Sequence, residues 1–365
     1  MKQLIEDILY DRRKDAATLL LRFVMRFFAS VYDFVTFWRN LLYDKRILKI
    51  KDVPCRIISV GNIIVGGTGK TPVTIMTAGM LKEEGYSVAV VSRGYKRQEK
   101  APIVVSDGSA IQVSSREGGD EPLIIATCLK GVPVVVGRDR FAAARLAYER
   151  FRPDVIILDD AFQHRRLYRN VDIVTMDADD PLGSEYLLPR GLFRESPHAL
   201  KRARMVVITR FYEHYHNREK IERMVRYYSR NVRIFCSTLT VRGLRKPGKP
   251  DIITLDTIRG KRITALSNIA NPVSFYRLLE ANDTVIVLKR ALPDHHRYTT
   301  AELRDIENDS AKAGAEIIVM TAKDEWNLPE GYDVKVIEKL VLDIKAVLVD
   351  NIEEFMKIIA PKMRR

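Results

Sequence analysis

The sequence predicts a doubly wound, parallel α/β/α sheet with a second, smaller α/β domain behind it and an amphipathic helix in front. Three observations predict this. Short β-branched runs alternate with helical stretches from Cys55 to Arg210, the pattern of parallel strands covered on both faces. Between the first such strand and the first such helix lies a glycine-rich turn, "VGGTGKTP". After Arg210 comes a polar, helix-forming run and then Pro247 and Pro250, beyond which the α/β alternation restarts.

The elements follow in order. The stretch "AATLLLRFVMRFFASVYDFVTFWRNLLY" has helical periodicity. Thr18, Arg22, Arg26, Ser30, Asp33 and Asn40 fall mostly along one stripe, and Leu, Phe, Val and Trp38 fill the rest. Arg22, Arg26 and Asp33 interrupt it, so no uncharged run approaches the roughly 20 residues of a spanning helix. A terminal helix with cations among aromatics suits a membrane interface. Strands are expected at "RIISVGN", "SVAVVSRG", "PIVVS", "VPVVVG", "DVIILDD", "VDIVTMD" and "MVVITR", with helices near Pro72–Glu84, Glu121–Leu129 and Arg138–Arg150. The second series is "KRITALS", a helix at Pro272–Ala281, "DTVIVLK", a helix at Thr300–Ala313, "AEIIVMT" and "DVKVIEKLVLDI". The domain division read from this pattern is 1–48, the membrane-associating helix; 49–235, the nucleotide-binding and catalytic domain; 236–350, the smaller domain reached through a β-stranded linker; and 351–365, a closing helix.

The 365 residues are ample for such a core, and the net charge of +14 points to anionic partners: phosphorylated metabolites, acidic headgroups or nucleic acid. Cys55, Cys128 and Cys236 are widely spaced and odd in number, which argues against a disulfide framework or a cysteine-bound metal.

The glycine-rich turn is the first site. Backbone N–H groups of Gly66, Gly67, Thr68 and Gly69 can surround phosphate oxygens at a helix N-terminus, with Lys70 on the β- and γ-phosphates and Thr71 on Mg²⁺. This makes the sheet P-loop NTPase-like, although the general motif wants glycine where the chain has Ile64. "DVIILDD" ends an apolar strand in Asp159-Asp160, where carboxylates organise Mg²⁺ in such folds. Asp120 and Glu121 of "GGDEP" open a helix, where an N-cap role explains Asp as well as catalysis does. Asp294, His295 and His296 of "LPDHHRYT" read as a loop, and adjacent histidines make a poor metal pair. "SRGYKR" and "LLPRGLFRE" are basic, and the first follows a parallel strand, where anionic ligands gather.

Together, "SVGNIIVGGTGKTP", "SRGY", "GDEP", "DDAFQHRRLYRNVDIVTMDADDPLG", "LLPRGLFRE", "NIANPVSFY" and "DHHRYT" resemble the tetraacyldisaccharide 4'-kinase (lipid A 4'-kinase) family over about Ile57 to Asp324. The resemblance implies ATP- and Mg²⁺-dependent phosphorylation of the 4'-hydroxyl of a tetraacyl glucosamine disaccharide 1-phosphate, giving lipid IVA in lipid A biosynthesis. It implies catalytic roles for Asp120 and His295 beside Lys70, Arg194 and Glu195. It puts the nucleotide on Gly66, Gly67, Thr68, Gly69, Lys70 and Thr71, and the metal on Thr71, Asp159 and Asp160. Substrate contacts are expected at Asn62, Arg93 and Tyr95. With His295 on the second domain, domain closure is expected to assemble the site. The implied setting is peripheral, on the cytoplasmic face of the bacterial inner membrane, with a monomeric enzyme, an acylated lipid substrate and no nucleic acid partner. Ala161, Ser184 and Arg190 depart from the family's usual residues, which bears on fine substrate contacts.

Two rivals are weaker. A membrane-docked ATPase or GTPase switch would want an Asn-Lys-x-Asp tetrapeptide for guanine, and "TAKD" spaces Lys and Asp wrongly. A basic nucleic-acid binder would want aromatics interleaved on a basic strand surface, and no such motif is present.

Overall fold

The computed structural model describes residues 8–9, 13, 15–94, 97, 101–181, 186–249, 251–329, 331–332 and 336–361. In chain order its main elements are α1 (Ala16–Asp44), β1 (Arg56–Gly61), α2 (Lys70–Glu83), β2 (Val88–Ser92), β3 (Ile103–Ser106), α3 (Ser115–Gly118), α4 (Asp120–Cys128) and β4 (Val134–Val136). There follow α5 (Arg140–Phe151), β5 (Val155–Asp159), β6 (Val171–Asp177), β7 (Met205–Thr209), α6 (Arg218–Tyr228), β8 (Arg233–Arg245), β9 (Arg262–Ser267) and α7 (Pro272–Glu280). The chain closes with β10 (Val285–Ala291), α8 (Thr300–Lys312), β11 (Ile317–Thr321), α9 (Ala322–Glu325), β12 (Glu338–Leu348) and α10 (Ile352–Ile359).

The chain forms two compact units. The first comprises Met1–Arg93, Gly137–Thr238 and Val347–Arg365; the second comprises Gly94–Val136 and Leu239–Ala346. The division differs from the linear boundaries expected of the sequence, because the segment holding β3 and α4 joins the second unit and α10 joins the first. Local patterning shows which residues form strands but not which sheet face a later segment covers.

In the first unit the parallel strands run β8-β7-β6-β1-β5-β2. β5 and β7 are buried at every position, as their unbroken Val, Ile and Leu runs require when helices cover both faces. β1 pairs with β5 on one side and β6 on the other, so the strand preceding the glycine-rich turn is central to this sheet. Open sheets of this kind bind ligands at the carboxyl ends of their strands. In the second unit β10-β9-β11-β12 are parallel, over a core of Phe275, Leu279, Val319 and Leu340. β3 and β4 pair antiparallel, Ile103 with Val136, a departure from the all-parallel expectation.

Helix α1 is capped by Asp15, whose carboxylate accepts the Thr18 N–H at 3.0 Å. Its buried positions are Thr18, Arg22, Ala29 and Thr36, whereas Leu20, Phe23, Phe27 and Phe34 are each more than 60% exposed. Thr18, Arg22 and Thr36 are turned inward, whereas Arg26, Ser30 and Asp33 are exposed beside an outward aromatic face, the reverse of an ordinary surface helix in leaving its large apolar side chains outside. No described helix is long and apolar enough to cross a membrane.

Candidate active site

The phosphate loop opens from β1 at the sheet's carboxyl edge. Gly69 adopts φ +74°, and a Cβ there would sit 3.0 Å from the Thr209 methyl, so both conformation and space demand glycine. Lys70 is the first residue of α2, and its Nζ reaches back to the Gly66 carbonyl at 3.2 Å. Beneath the loop, Asn62 Nδ2 donates to Thr68 Oγ1 at 2.9 Å, Thr68 Oγ1 pairs with Thr175 Oγ1 at 2.8 Å, and Thr209 Oγ1 donates to the Thr68 carbonyl at 3.2 Å. Ile64 explains its own presence. Its side chain is buried in the core with Phe193, which it also faces across an antiparallel bridge. The flanking bonds, Val65 N–H to the Leu192 carbonyl and Arg194 N–H to the Ile63 carbonyl, fasten segment 187–194 to the loop.

That fastening places Arg194. Its Nη1 donates to both oxygens of Asp160, at 2.8 and 3.1 Å, and Lys70 Nζ lies 4.0 Å from Asp160 Oδ1. Burial would raise the Asp160 pKa, but Lys70, Arg194 and Arg140 outweigh it and hold the carboxyl below its ordinary value. Asp160 occupies the left-handed region at φ +47°, a conformation non-glycine residues reach mainly at constrained functional turns. Asp159 is buried, accepting Thr74 Oγ1–H at 2.9 Å and Ser92 Oγ–H at 3.2 Å. Buried Arg140 donates to the carbonyls of Asp159, Asp160 and Gly137, tying the strand end to α5. Glu195, 1% exposed, takes hydrogen bonds from Asn40 Nδ2 at 2.7 Å and Arg202 Nη2 at 2.9 Å, with Arg39 3.4 Å away. Tyr32 Oη donates to the Arg194 carbonyl at 2.9 Å, so α1 grips both members of the Arg194-Glu195 pair.

The second unit carries a different constellation. Asp120 begins α4 behind Gly119, whose φ of +85° admits the turn. Its Oδ1 accepts the Glu121 N–H at 2.9 Å, and its Oδ2 lies 2.7 Å from His295 Nδ1. His295 itself is left-handed, φ +61°. Burial pushes the Asp120 pKa up; the His295 hydrogen bond, the charge of Lys323 and the Glu121 N–H pull harder and keep it below the ordinary range. A buried, ionised carboxylate with an imidazole behind it is the arrangement of a positioned general base.

Around this pair stands a frame that the sequence reading missed. Asn327 Nδ2 donates to the Lys323 carbonyl at 2.8 Å and lies 3.5 Å from Asp120 Oδ2. Lys323 Nζ donates to Asp294 Oδ1 at 2.7 Å and lies 3.3 Å from His295 Nε2. Asp324, fully buried, accepts Tyr298 Oη–H at 2.6 Å and caps α9 through Thr321. The available signal was the string "TAKDEW", which partly keeps the family's Thr-x-Lys-Asp block and spaces Lys and Asp wrongly for guanine recognition.

A family model described as tetraacyldisaccharide-1-P 4'-kinase matches residues 21–364. The chain belongs to the tetraacyldisaccharide 4'-kinase family. Among relatives of that name, the protein of Syntrophus aciditrophicus is 42% identical over 326 residues, covering 87% of this chain and 86% of its own. That of Halothermothrix orenii is 38% identical over 320 residues, covering 83% and 82%. A crystal structure of LpxK from Aquifex aeolicus in complex with ATP superposes with a TM-score of 0.76 at 31% identity, covering 93% of this chain and 98% of that one.

Against the family-based expectations, the structure brings Asp120 and His295 together in one unit, so closure between domains is not what pairs them. Lys70, Asp160 and Arg194 also converge. Thr71 is half-buried in the first turn of α2, and Arg93 is exposed at the end of β2. Tyr95 and Ser184 lie outside the described residues. Asn62, expected to touch substrate, is fully buried; it braces Thr68, and its carbonyl accepts Gln163 Nε2–H at 2.8 Å.

Proposed function

We propose that this chain transfers the γ-phosphoryl group of ATP to the 4'-hydroxyl of a tetraacyl disaccharide 1-phosphate, forming lipid IVA in lipid A biosynthesis. The observation that carries the reading is the buried Asp120–His295 pair in a chain that belongs to this family and holds an intact Gly-Lys-Thr phosphate loop. Gly66, Gly67, Thr68 and Gly69 wrap the phosphates, Lys70 and Arg194 face their negative charge, and Asp120 accepts the hydroxyl proton while His295 orients it. Half-exposed Thr71 and Asp160 offer oxygen donors, the chemistry Mg²⁺ prefers, while both carboxylate oxygens of buried Asp159 are engaged by Thr74 and Ser92, so Asp159 would serve the metal from behind Asp160. Mg²⁺ held there would neutralise phosphate charge. Glu195 holds Arg194's segment to α1 through Asn40. Arg93 and Tyr95 contact the acceptor in this reading.

The aromatic face of α1 docks the enzyme peripherally, on the cytoplasmic face of the inner membrane, where an acylated acceptor resides. Leu20, Phe23, Phe27 and Phe34 enter the acyl boundary, and Arg26, exposed on the same helix, reaches headgroups. All named groups come from one chain, so a monomer suffices.

The decisive experiment incubates the protein with labelled ATP and Mg²⁺, with and without the acylated disaccharide 1-phosphate. Label in the lipid, dependent on acceptor, is the expected result; acceptor-independent hydrolysis would instead support a membrane-docked switch.

A further inference from the structure

His295 makes contact through both ring nitrogens, and the two contacts differ in kind. Nδ1 faces a carboxylate oxygen, Asp120 Oδ2, at 2.7 Å; Nε2 faces an ammonium, Lys323 Nζ, at 3.3 Å. An ammonium has three hydrogens and no lone pair, so Nε2 attracts it by offering its own lone pair; Asp294 Oδ2 lies farther from the same nitrogen, at 3.8 Å, beyond hydrogen-bond distance. A ring that kept a proton on Nε2, as either the other neutral tautomer or imidazolium, would set N–H against N–H there. The carboxylate on the opposite side wants a donor, which fits a proton on Nδ1.

Lys323 is itself held. Asp294 Oδ1 binds its ammonium at 2.7 Å and Glu121 Oε1 lies 3.9 Å away, so two carboxylates hold it in place. It stands on α9, whose capping box joins Thr321 to Asp324, and Asp324 in turn receives Tyr298, three residues beyond His295. Helix α9 thereby fixes both the lysine and the histidine loop. Charged groups that face the ring include Asp120 from α4, Asp294 from its own loop and Lys323 from α9, and Glu121 of α4 faces that lysine. Neutral Asn327 completes the frame beside Asp120.

We propose that Lys323 is a positioning residue that fixes the tautomer of His295, holding the ring's single proton on Nδ1 as a donor to Asp120 so that Asp120 alone receives the proton of the acceptor hydroxyl. The proposal rests on the kinase reading and deepens it. In the proposed step the hydroxyl oxygen bonds to the γ-phosphorus as the bond from that phosphorus to the β,γ-bridging oxygen breaks, ADP leaves with that electron pair, the hydroxyl proton passes to an Asp120 oxygen, and the proton on His295 Nδ1 stays where it is.

The test is ¹⁵N NMR of histidine-labelled full-length protein, with His295 assigned by a His295→Asn variant, in wild type and Lys323→Met. Wild type should show Nδ1 protonated and Nε2 unprotonated near neutral pH. Lys323→Met should gain a proton on Nε2. In the transfer assay its kcat should fall about tenfold, with the KM for ATP changed less than about twofold. Lys323→Arg, which retains a cationic donor, should restore the Nδ1 tautomer. A wild-type ring protonated on Nε2, or a Lys323→Met ring with unchanged tautomer, overturns the inference. If Lys323→Met fails to fold, the wild-type spectrum still decides. Absence of acceptor-dependent transfer by wild type would overturn the kinase reading while leaving the tautomer measurement to stand or fall by itself.

Discussion

His295 Nδ1 lies 2.7 Å from Asp120 Oδ2 across 175 residues of sequence, and both residues belong to the same compact unit. The carboxylate and the imidazole are therefore pre-assembled. Their geometry depends on α4, the histidine loop and α9 packing together.

The first prediction concerns this pair. Asp120→Asn keeps the shape but removes the proton acceptor, and kcat should fall about 10²- to 10⁴-fold. His295→Ala leaves the carboxylate in place and should cost less than Asp120→Asn, again in kcat far more than in the KM for ATP. Steady-state kinetics with ATP varied at saturating acceptor checks both. A His295→Ala loss confined to KM would contradict an orienting role.

Arg194 offers a second. It binds both Asp160 oxygens through one nitrogen and is pinned by the Ile63 carbonyl and Tyr32. Arg194→Gln should lower kcat about 10²-fold by removing charge that faces the transferring phosphoryl group. Glu195→Gln should act differently, because it strips the carboxylate from Arg202, which is mostly buried. A loss of about 3 kcal/mol in chemical denaturation is expected, since the surviving charge is left without its partner.

A third concerns α1. Replacing Phe23, Phe27 and Phe34 together with Glu should abolish co-sedimentation with anionic phospholipid vesicles, since each buried aromatic contributes about 2 kcal/mol to interfacial binding. Thermal stability should hardly change, because these rings are exposed in the folded chain. Retained vesicle binding would show that another surface carries the protein to lipid.

The fourth is a pH dependence. Burial pushes the Asp324 carboxyl up to about 6 against an ordinary 3.8, despite the hydrogen bonds it accepts from Thr321 and Tyr298. Its folded pKa is raised, so its stabilising contribution is complete below about 3.8 and is lost as pH rises through about 6. The size is on the order of 2–3 kcal/mol. Asp324→Asn cannot ionise, so wild type minus Asp324→Asn stability, measured by urea unfolding, should decline between about pH 4 and pH 6.5. A flat difference across that window would show that the carboxyl titrates normally.

Much of the site was legible in the sequence because its chemistry is local. A strand, a glycine-rich turn and Lys-Thr at a helix start lie within a dozen residues, and Asp159-Asp160 ends a strand that period and composition identify. The amphipathic character of α1 was equally plain, since helical spacing alone separates Phe23, Phe27 and Phe34 from Thr18, Arg22 and Thr36.

Other features needed the folded chain. Asp120 reads locally as a helix cap, and only packing brings His295 to it. The grouping of Gly94–Val136 with Leu239–Ala346 follows from long-range packing that no local period encodes, and it puts Asp120 in the same unit as His295. Asn62 looked like a ligand-facing residue beside a phosphate loop, yet its burial makes it a brace for Thr68. Lys323 stands in the string "TAKDEW", but its place beside His295, like that of Asn327 beside Asp120, lies in distances to residues far away in sequence.

By itself, then, the sequence determined the fold class, the phosphate loop, the amphipathic helix and, through its joint motifs, the family, since each is written in short-range pattern and residue type. Tertiary structure alone decided which polar groups meet, which are buried and which protonation states their neighbours favour. Hydrogen bonding and desolvation act through space over a few ångströms, and sequence separation does not report that distance.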